Sequence, residues 1–267
     1  MNENLPRYEL YAIRYASRDG RRPEHFLGGD PHDAPMPMDY FVWVAVSPQR
    51  AVVIDTGLSR EVADKRGRTF LRCPIETLGA LGIAPQEVEE VVLTHLHNDH
   101  AGNLGRLPKA RFHLQEREIH FATGRLMRFE HLARPFEVKD VCDVIRLNFD
   151  QRMAMHAGAH EIAPGIRLHP AGGHSPGLQF VTVHTARGWV VVASDVSHFY
   201  ENVEAQRPFR LVVNLGDMME GFEALTALAP SPAHIIPGHD PRVMERYPAA
   251  SPALEGIAVA LHVPPHA

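Results

Sequence analysis

The stretch "LTHLHNDHAGN" (residues 93–103) decides how this chain is read. His95, His97, Asp99 and His100 fall within six positions, where the apolar run "EEVVLT" (89–94) gives out. On an extended chain, residues two apart point to the same side. His95 and His97 therefore aim at one metal ion together. Beyond them the chain is expected to turn into a helix, which directs Asp99 and His100 toward a second, adjacent ion. Imidazole nitrogens and carboxylate oxygens are the donors that hold zinc and its divalent neighbours.

Three later segments have the same character. "PAGGHSPG" (170–177) sets His174 among glycines that allow a tight turn. "VVVASD" (190–195) ends an apolar run in Asp195, as a cap or a metal ligand, and "IIPGHD" (235–240) places His239 after the last strand. All seven candidates sit at expected strand ends, where a sheet edge gathers distant residues into one cleft. Asp55 is expected to support a ligating imidazole rather than bind metal, because such rings need an acceptor behind them.

Apolar runs bounded by turn residues predict strands at 8–16, 40–47, 51–57, 88–95, 110–115, 165–173, 178–186, 188–195 and 233–240. Helices are expected at 74–82, 115–123 and 219–228. Residues 124–160 show no steady period and read as an insertion with some helix, serving as a lid or a homodimer contact. No linker divides residues 1–267, so one domain is expected. Mixed strands with helices between them suggest two packed sheets with helices outside.

The bulk numbers exclude several classes. The 267 residues carry a net charge of −5, with no long basic run, which disfavours nucleic acid as a partner. No run reaches the ~20 apolar residues that cross a bilayer. Two cysteines, Cys73 and Cys142, make no disulfide framework. With no signal peptide visible, a cytoplasmic setting is expected. Most of the 18 histidines are expected on surfaces or in satisfied hydrogen bonds. Met36, Met38 and Phe41 are read as either a pocket wall or ordinary core.

His-x-His-x-Asp-His, followed by a lone His, an Asp and a His, resembles the metallo-β-lactamase superfamily. "DTG" (55–57) matches a further motif of that family, and the likeness runs from about 40 to 240. The resemblance implies an α/β (α+β) fold, the αββα sandwich of two mixed β-sheets flanked by helices. It also implies that His95, His97 and His174 hold one metal, that Asp99, His100 and His239 hold a second, and that Asp195 bridges them. The cofactor expected is a pair of divalent ions, zinc first, with iron, manganese or cobalt as alternatives. Two close ions share a water, lower its pKa toward ~7, and so supply a hydroxide for hydrolysis.

Within the superfamily the chain is most similar to N-acyl-homoserine-lactone lactonases. "MPMDYFVWVAVSPQRAVVIDTGLS" (36–59), "GGHSPGLQ" (172–179) and "SDVSHFYEN" (194–202) carry that likeness. Leu178 stands where the family usually has His, so altered packing is expected there. His198 stands where the lactonases carry a tyrosine that hydrogen-bonds the substrate. His198, Tyr200 and Asp99 are the candidate catalytic residues. The resemblance implies a small lactone or ester substrate. The alternatives are a thioester, amide or phosphoester on the same site, or a non-hydrolytic metal-binding relative. Against a glutathione thioester, the last segment (250–267) has no Lys or Arg.

Overall fold

In the computed structural model, residues 5–266 are described. The strands in chain order are β1 (Glu9–Arg18), β2 (Met38–Ser47), β3 (Arg50–Ile54), β4 (Thr69–Phe70), β5 (Glu90–Val92), β6 (Arg111–Gln115), β7 (Met153–His156), β8 (His160–Ala163), β9 (Ile166–Pro170), β10 (Gln179–Thr185), β11 (Gly188–Ser194), β12 (Ile235–Pro237) and β13 (Ala258–Ala260). The helices are α1 (Arg60–Lys65), α2 (Pro74–Thr77), α3 (Glu116–Ala122), α4 (Glu130–Ala133), α5 (Val138–Phe149), α6 (Tyr200–Glu204), α7 (Leu215–Leu228) and α8 (Arg242–Arg246). One sheet runs β13-β1-β2-β3-β5-β6-β7, with β4 beside β1, and the other runs β12-β11-β10-β9-β8. This is the αββα sandwich that the family resemblance implies.

Side-chain alternation builds the layers. In β2 every residue from Met38 to Ala45 is buried, because the strand is covered on both faces. Phe41, Trp43 and Ala45 face the second sheet and meet Val181, Val183, Val190 and Val192 there. Val42 and Val44 face the other way, onto Leu78, Leu104, Val144 and Leu147. On the outer face of the second sheet, Phe180, Val191 and Ala193 are covered by Met218, Phe222 and Leu225 of α7. Burying such side chains contributes about 1.5–3 kcal/mol each, so the sandwich interior dominates stability.

β3, β5 and β6 are parallel in the first sheet, as are β11 and β12 in the second. Their C-terminal ends open at one rim, and the metal-ligand candidates follow those ends.

Some expectations need correction. No helix follows His97. The chain makes a single turn, in which His97 O accepts from the amides of His100 and Ala101. Gly102 then donates to Gly57 O, and Thr56 donates to His100 O, so the backbone is tied across to the loop after β3 instead of continuing. The 74–82 helix is α-helical only to Thr77; a 3₁₀ turn at Leu78–Leu81 completes it, and Gly82 closes it at φ +76°. The 219–228 helix begins earlier, at Leu215, because Asn214 caps it through the Asp217 amide.

Residues 124–160 contain α4, α5 and β7, and β7 is the edge strand of the first sheet. In α5, Val141, Val144 and Leu147 form a buried face at helical spacing. That period is masked in the sequence by Asp140 on the buried side and by exposed Val138 and Phe149. Among the described residues, no helix is long and apolar enough to cross a membrane.

Candidate metal centre

Two turns deliver the ligands of the first motif. Asp55 sits just past β3 with φ +62°, and Ser194 ends β11 with φ +47°, both left-handed positions uncommon for non-glycine residues. Thr94 ties them together: its Oγ1 donates to Asp55 Oδ2 at 2.8 Å and lies 2.9 Å from Ser194 Oγ. His95 Nδ1 is 3.1 Å from the same hydroxyl.

Three of the other imidazoles are also held from behind. His100 Nδ1 donates to Asp55 Oδ2 at 2.7 Å, His174 Nδ1 to Leu211 O at 2.7 Å, and His239 Nδ1 to Asp39 O at 2.9 Å. With Nδ1 fixed as donor, Nε2 is left as an exposed lone pair on the inner side.

Those lone pairs converge. The ligand atoms of His95, His97, His174 and Asp195 lie within 4.8 Å of one another, and so do those of Asp99, His100 and His239. Asp195 stands between the groups. Its Oδ2 is 3.1 Å from His174 Nε2 and 3.7 Å from His95 Nε2. Its Oδ1 is 3.0 Å from His239 Nε2 and 3.4 Å from His100 Nε2. Nitrogen and oxygen donors ~2.0–2.1 Å from a shared ion lie roughly 3–3.5 Å apart, which is the spacing seen.

Several of these atoms lack other partners. His95 Nε2, His100 Nε2 and Asp195 Oδ1 are buried without a hydrogen bond, a costly state that a cation relieves. His97 Nδ1 lies only 2.9 Å from the His174 Nε2 lone pair, again with room for a shared cation. The residues present therefore fit a divalent-metal site of His and Asp ligands.

The electrostatics divide the rings. Burial drives the His95 and His97 pKa values well below the usual range, which keeps both rings neutral and ready to ligate. Burial opposes charge on His100 too, but Asp195, Asp55 and Asp99 outweigh it and hold that ring well above its ordinary value. Burial works against an ionised Asp195, yet His198, His239 and His100 hold it well below the carboxylate range.

Close backbone approach makes the nest compact. A Cβ on Gly238, the residue before His239, would come within 2.8 Å of Asp195 Oδ1, so only glycine fits there.

His198 reaches the same place. Its Nε2 is 3.0 Å from Asp195 Oδ2, its ring stacks on Phe209 with centroids 3.5 Å apart, and it lines the cavity. Burial pushes its pKa down to about 3, so the ring is neutral. Asp99 also lines the cavity, and Tyr15 fixes its backbone by donating to Asp99 O at 2.6 Å.

Tyr200 does not reach the cavity. α6 starts at this residue and turns its ring into the core between the sheets, beside Val243 and Tyr247. Of the apolar trio, Met38 lines the cavity while Phe41 faces the sandwich interior and Met36 stays outside the lining. His156 and His160 stack with His113 away from the cavity, and Leu178 is wholly buried under α7.

Sequence reasoning missed Glu118. This buried carboxylate accepts from Leu96 N, Ser175 Oγ and Gly177 N, which joins the first histidine loop to the loop carrying His174. Its signal was the shared buried face of Glu118, Phe121 and Ala122 on α3. The Leu211 carbonyl left no such trace, because any residue type supplies it.

The cavity above the cluster holds about 500 Å³. Met38, Tyr40, Phe209 and Leu211 line it, together with arginines at the mouth.

Comparison with known proteins agrees with this geometry. The N-acyl homoserine lactonase AiiA of Bacillus thuringiensis subsp. kurstaki is 28% identical over 173 residues, 59% of this chain and 64% of that protein. The chain thus spans under two thirds of that relative's length. AttM of Azorhizobium caulinodans, also an N-acyl homoserine lactonase, is 28% identical over 240 residues, 80% of this chain and 85% of its own. A solved N-acyl homoserine lactone hydrolase with N-hexanoyl-L-homoserine at its catalytic metal centre superposes with a TM-score of 0.73 at 19% identity, covering 91% of this chain and 96% of that one. The model of the metallo-beta-lactamase superfamily matches residues 37–239, which include every ligand candidate. The chain belongs to the metallo-beta-lactamase superfamily.

Proposed function

We propose that this protein is a dinuclear metal-dependent hydrolase that opens a small lactone or ester. The observation that carries the reading is Asp195, whose two carboxylate oxygens face two separate histidine groups at the floor of one cavity. In this reading His95, His97 and His174 hold one ion, Asp99, His100 and His239 hold the other, and Asp195 is shared. Zinc is the metal we favour, given a nitrogen and oxygen donor set with no thiolate. When bound, two such ions polarise the scissile carbonyl and lower the pKa of a shared water toward ~7.

The chain's own residues do the rest. The Nδ1 donors to Asp55, Leu211 and Asp39 orient the ligating rings before substrate arrives. Asp99 presents its carboxylate at the cavity wall, where it can receive a proton. His198, neutral and braced by Phe209, holds its Nε2 3.0 Å from Asp195 Oδ2 at the cavity wall, from where its proton can pass to a leaving oxygen. The names of the curated relatives, N-acyl homoserine lactonases, support a lactone as the substrate class. Free thiols at Cys73 and Cys142 are in keeping with a cytoplasmic setting, which belongs to the same proposal.

The test is a panel of lactones, aryl esters, thioesters and β-lactams assayed on zinc-reconstituted protein, with metal content measured alongside. Two zinc ions per chain and preferred opening of a lactone are expected. Full activity in His95→Ala would overturn the mechanism, and a preference for thioesters would replace the substrate class. For His198, replacement by Phe is expected to lower kcat about tenfold or more, as loss of a proton donor does.

A further inference from the structure

The proposed hydrolase reading leaves the mouth of the cleft unexplained. Four arginines from separate parts of the chain converge there: Arg18 at the end of β1, Arg68 after α1, Arg134 after α4, and Arg210 before α7. The chain as a whole carries a net charge of −5, so this concentration of guanidinium is local.

The arginines have little else to do. Arg68 makes one side-chain hydrogen bond, to Arg66 O at 3.3 Å, and lies over the Tyr40 ring. Tyr40 in turn meets His239 edge-on, which brings Arg68 next to the metal cluster. Arg18 has only a loose 3.9 Å approach to Glu24, and its Nε is buried without a partner. Among the described residues, no carboxylate lies within 4.0 Å of the Arg68, Arg134 or Arg210 side chain, whereas neighbouring Arg66 is fully engaged by Glu137 at 2.6 Å. Arg66 acts as a strut: it also donates to the carbonyls of Arg134 and Phe136 and fixes the segment that carries Arg134.

Arg210 is placed just as firmly. Phe209 before it stacks on His198, and Leu211 after it accepts from His174. The position of the Arg210 backbone is thus set by the metal centre itself. The acidic groups in the same cavity do not cancel the charge, since Asp99 and Asp195 face histidines at the floor and Glu24 is one residue against four. An uncharged acyl chain would find a short apolar wall here, essentially Met38, Tyr40, Pro135, Phe209 and Leu211, set among the guanidinium groups.

We propose that the mouth is a carboxylate-binding site, and that the substrate is a small lactone or ester bearing a free carboxylate remote from the scissile bond. A carboxylate matches the guanidinium fork in shape and charge, and such bonds are about twice as strong as neutral ones. The proposal rests on the hydrolase reading for the word lactone, but not for the word carboxylate.

The two parts separate experimentally. N-succinyl-homoserine lactone and its neutral N-succinamoyl isostere give a matched pair for turnover by the zinc-loaded protein. The corresponding γ-lactams, which resist opening, give a matched pair for binding by calorimetry. The acid is expected to exceed the amide by about tenfold in kcat/KM and in affinity, as one charge-assisted contact provides. The preference should shrink between low and high salt. It should also fall toward unity in Arg68→Gln combined with Arg134→Gln, at unchanged zinc content and with most of the loss in KM. Equal affinity for the two lactams in the wild-type protein, or a preference untouched by the arginine replacements, overturns the carboxylate site even if both lactones are opened. Conversely, a lactam preference with no turnover of either lactone supports the carboxylate site and overturns the lactone reading.

Discussion

At the floor of the cleft His100 is 1% exposed and donates to an equally buried Asp55 at 2.7 Å. At the mouth, Arg134 and Arg210 are exposed and, among the described residues, have no carboxylate partner. The floor is complete on the protein side: every ligating ring whose Nδ1 is turned away from the cluster has an acceptor there. The mouth is complete only with something added. The difference separates two tasks. Preorganised donors fix which reaction can occur, because they must be in place before it starts. Unpaired charges at an entrance fix which molecule is admitted, because their energy is realised only on binding.

The strongest way to break this contrast is to remove the residue on which the floor turns. Asp195→Ala should reduce bound zinc to one ion or fewer per chain and activity by at least about a thousandfold, since in the proposed dinuclear site both ions would lose a ligand. Retention of two ions with ordinary affinity would mean that the histidine groups are independent. A finer cut is Asp55→Asn, which keeps the side-chain shape but removes the charge behind His100. Zinc affinity should drop about 10–100-fold with the fold retained, as it does when such supporting acceptors are changed. Metal titration against a chelator of known affinity measures this. An unchanged affinity would show that His100 needs no charged acceptor.

The same division explains what the sequence could disclose. His95, His97, Asp99 and His100 were legible because strand alternation and one turn are short-range rules, and they hold within six residues. His174, Asp195 and His239 were legible as polar ends of apolar runs, once the family pattern was matched. The sandwich was legible for a similar reason: β2, β10 and β11 are apolar runs bounded by turns. The mouth has no such pattern. Arg18, Arg68, Arg134 and Arg210 are separated by dozens of positions, and each alone resembles an ordinary solvated cation. Glu118 looked like one more acid at a helix start, where acids are common. The turn after His97 failed as a helix because the Gly102 amide donates to Gly57 O and His100 O accepts from Thr56, contacts across more than forty residues.

A third prediction sets a carboxylate without partners against those of the floor. Asp140, on the buried face of α5, is 3% exposed, and its Oδ2 has no hydrogen bond. Burial pushes its pKa up from 3.8 to about 7, against the pull of Lys139. Because the folded value is above the unfolded one, this group's contribution is intact below about pH 4 and is lost as pH rises to about 7. Asp140→Asn should therefore match the parent near pH 4 and be more stable above pH 7, by about 2 kcal/mol or roughly 4–8 °C in Tm. Thermal melts across pH measure it. Burial raises the Asp55 pKa as well, but Asp55→Asn should destabilise at the same pH values, because Asp55 accepts from His100 Nδ1, Thr94 N and Thr94 Oγ1 and an amide cannot accept all three. If both substitutions moved stability in the same direction, the distinction between a partnered and an unpartnered buried acid would fail.

The smallest effect belongs to Tyr200, which sequence position alone put near the chemistry. It follows Asp195 by five residues, close enough along the chain to suggest a role. The start of α6 carries its ring out of the cleft and into the sandwich core, where the hydroxyl is buried with no partner. Tyr200→Phe removes an unsatisfied polar group and keeps the ring, together with its contacts to Arg242 and Arg246. Stability should stay level or rise by up to about 1 kcal/mol, because the hydroxyl costs desolvation and gains no bond. Turnover of the best substrate should remain within about twofold, since side chains outside the cavity leave the barrier unchanged. A fall in kcat at constant KM would place that hydroxyl at the reacting atoms, and the boundary between floor and core would have to be redrawn around α6.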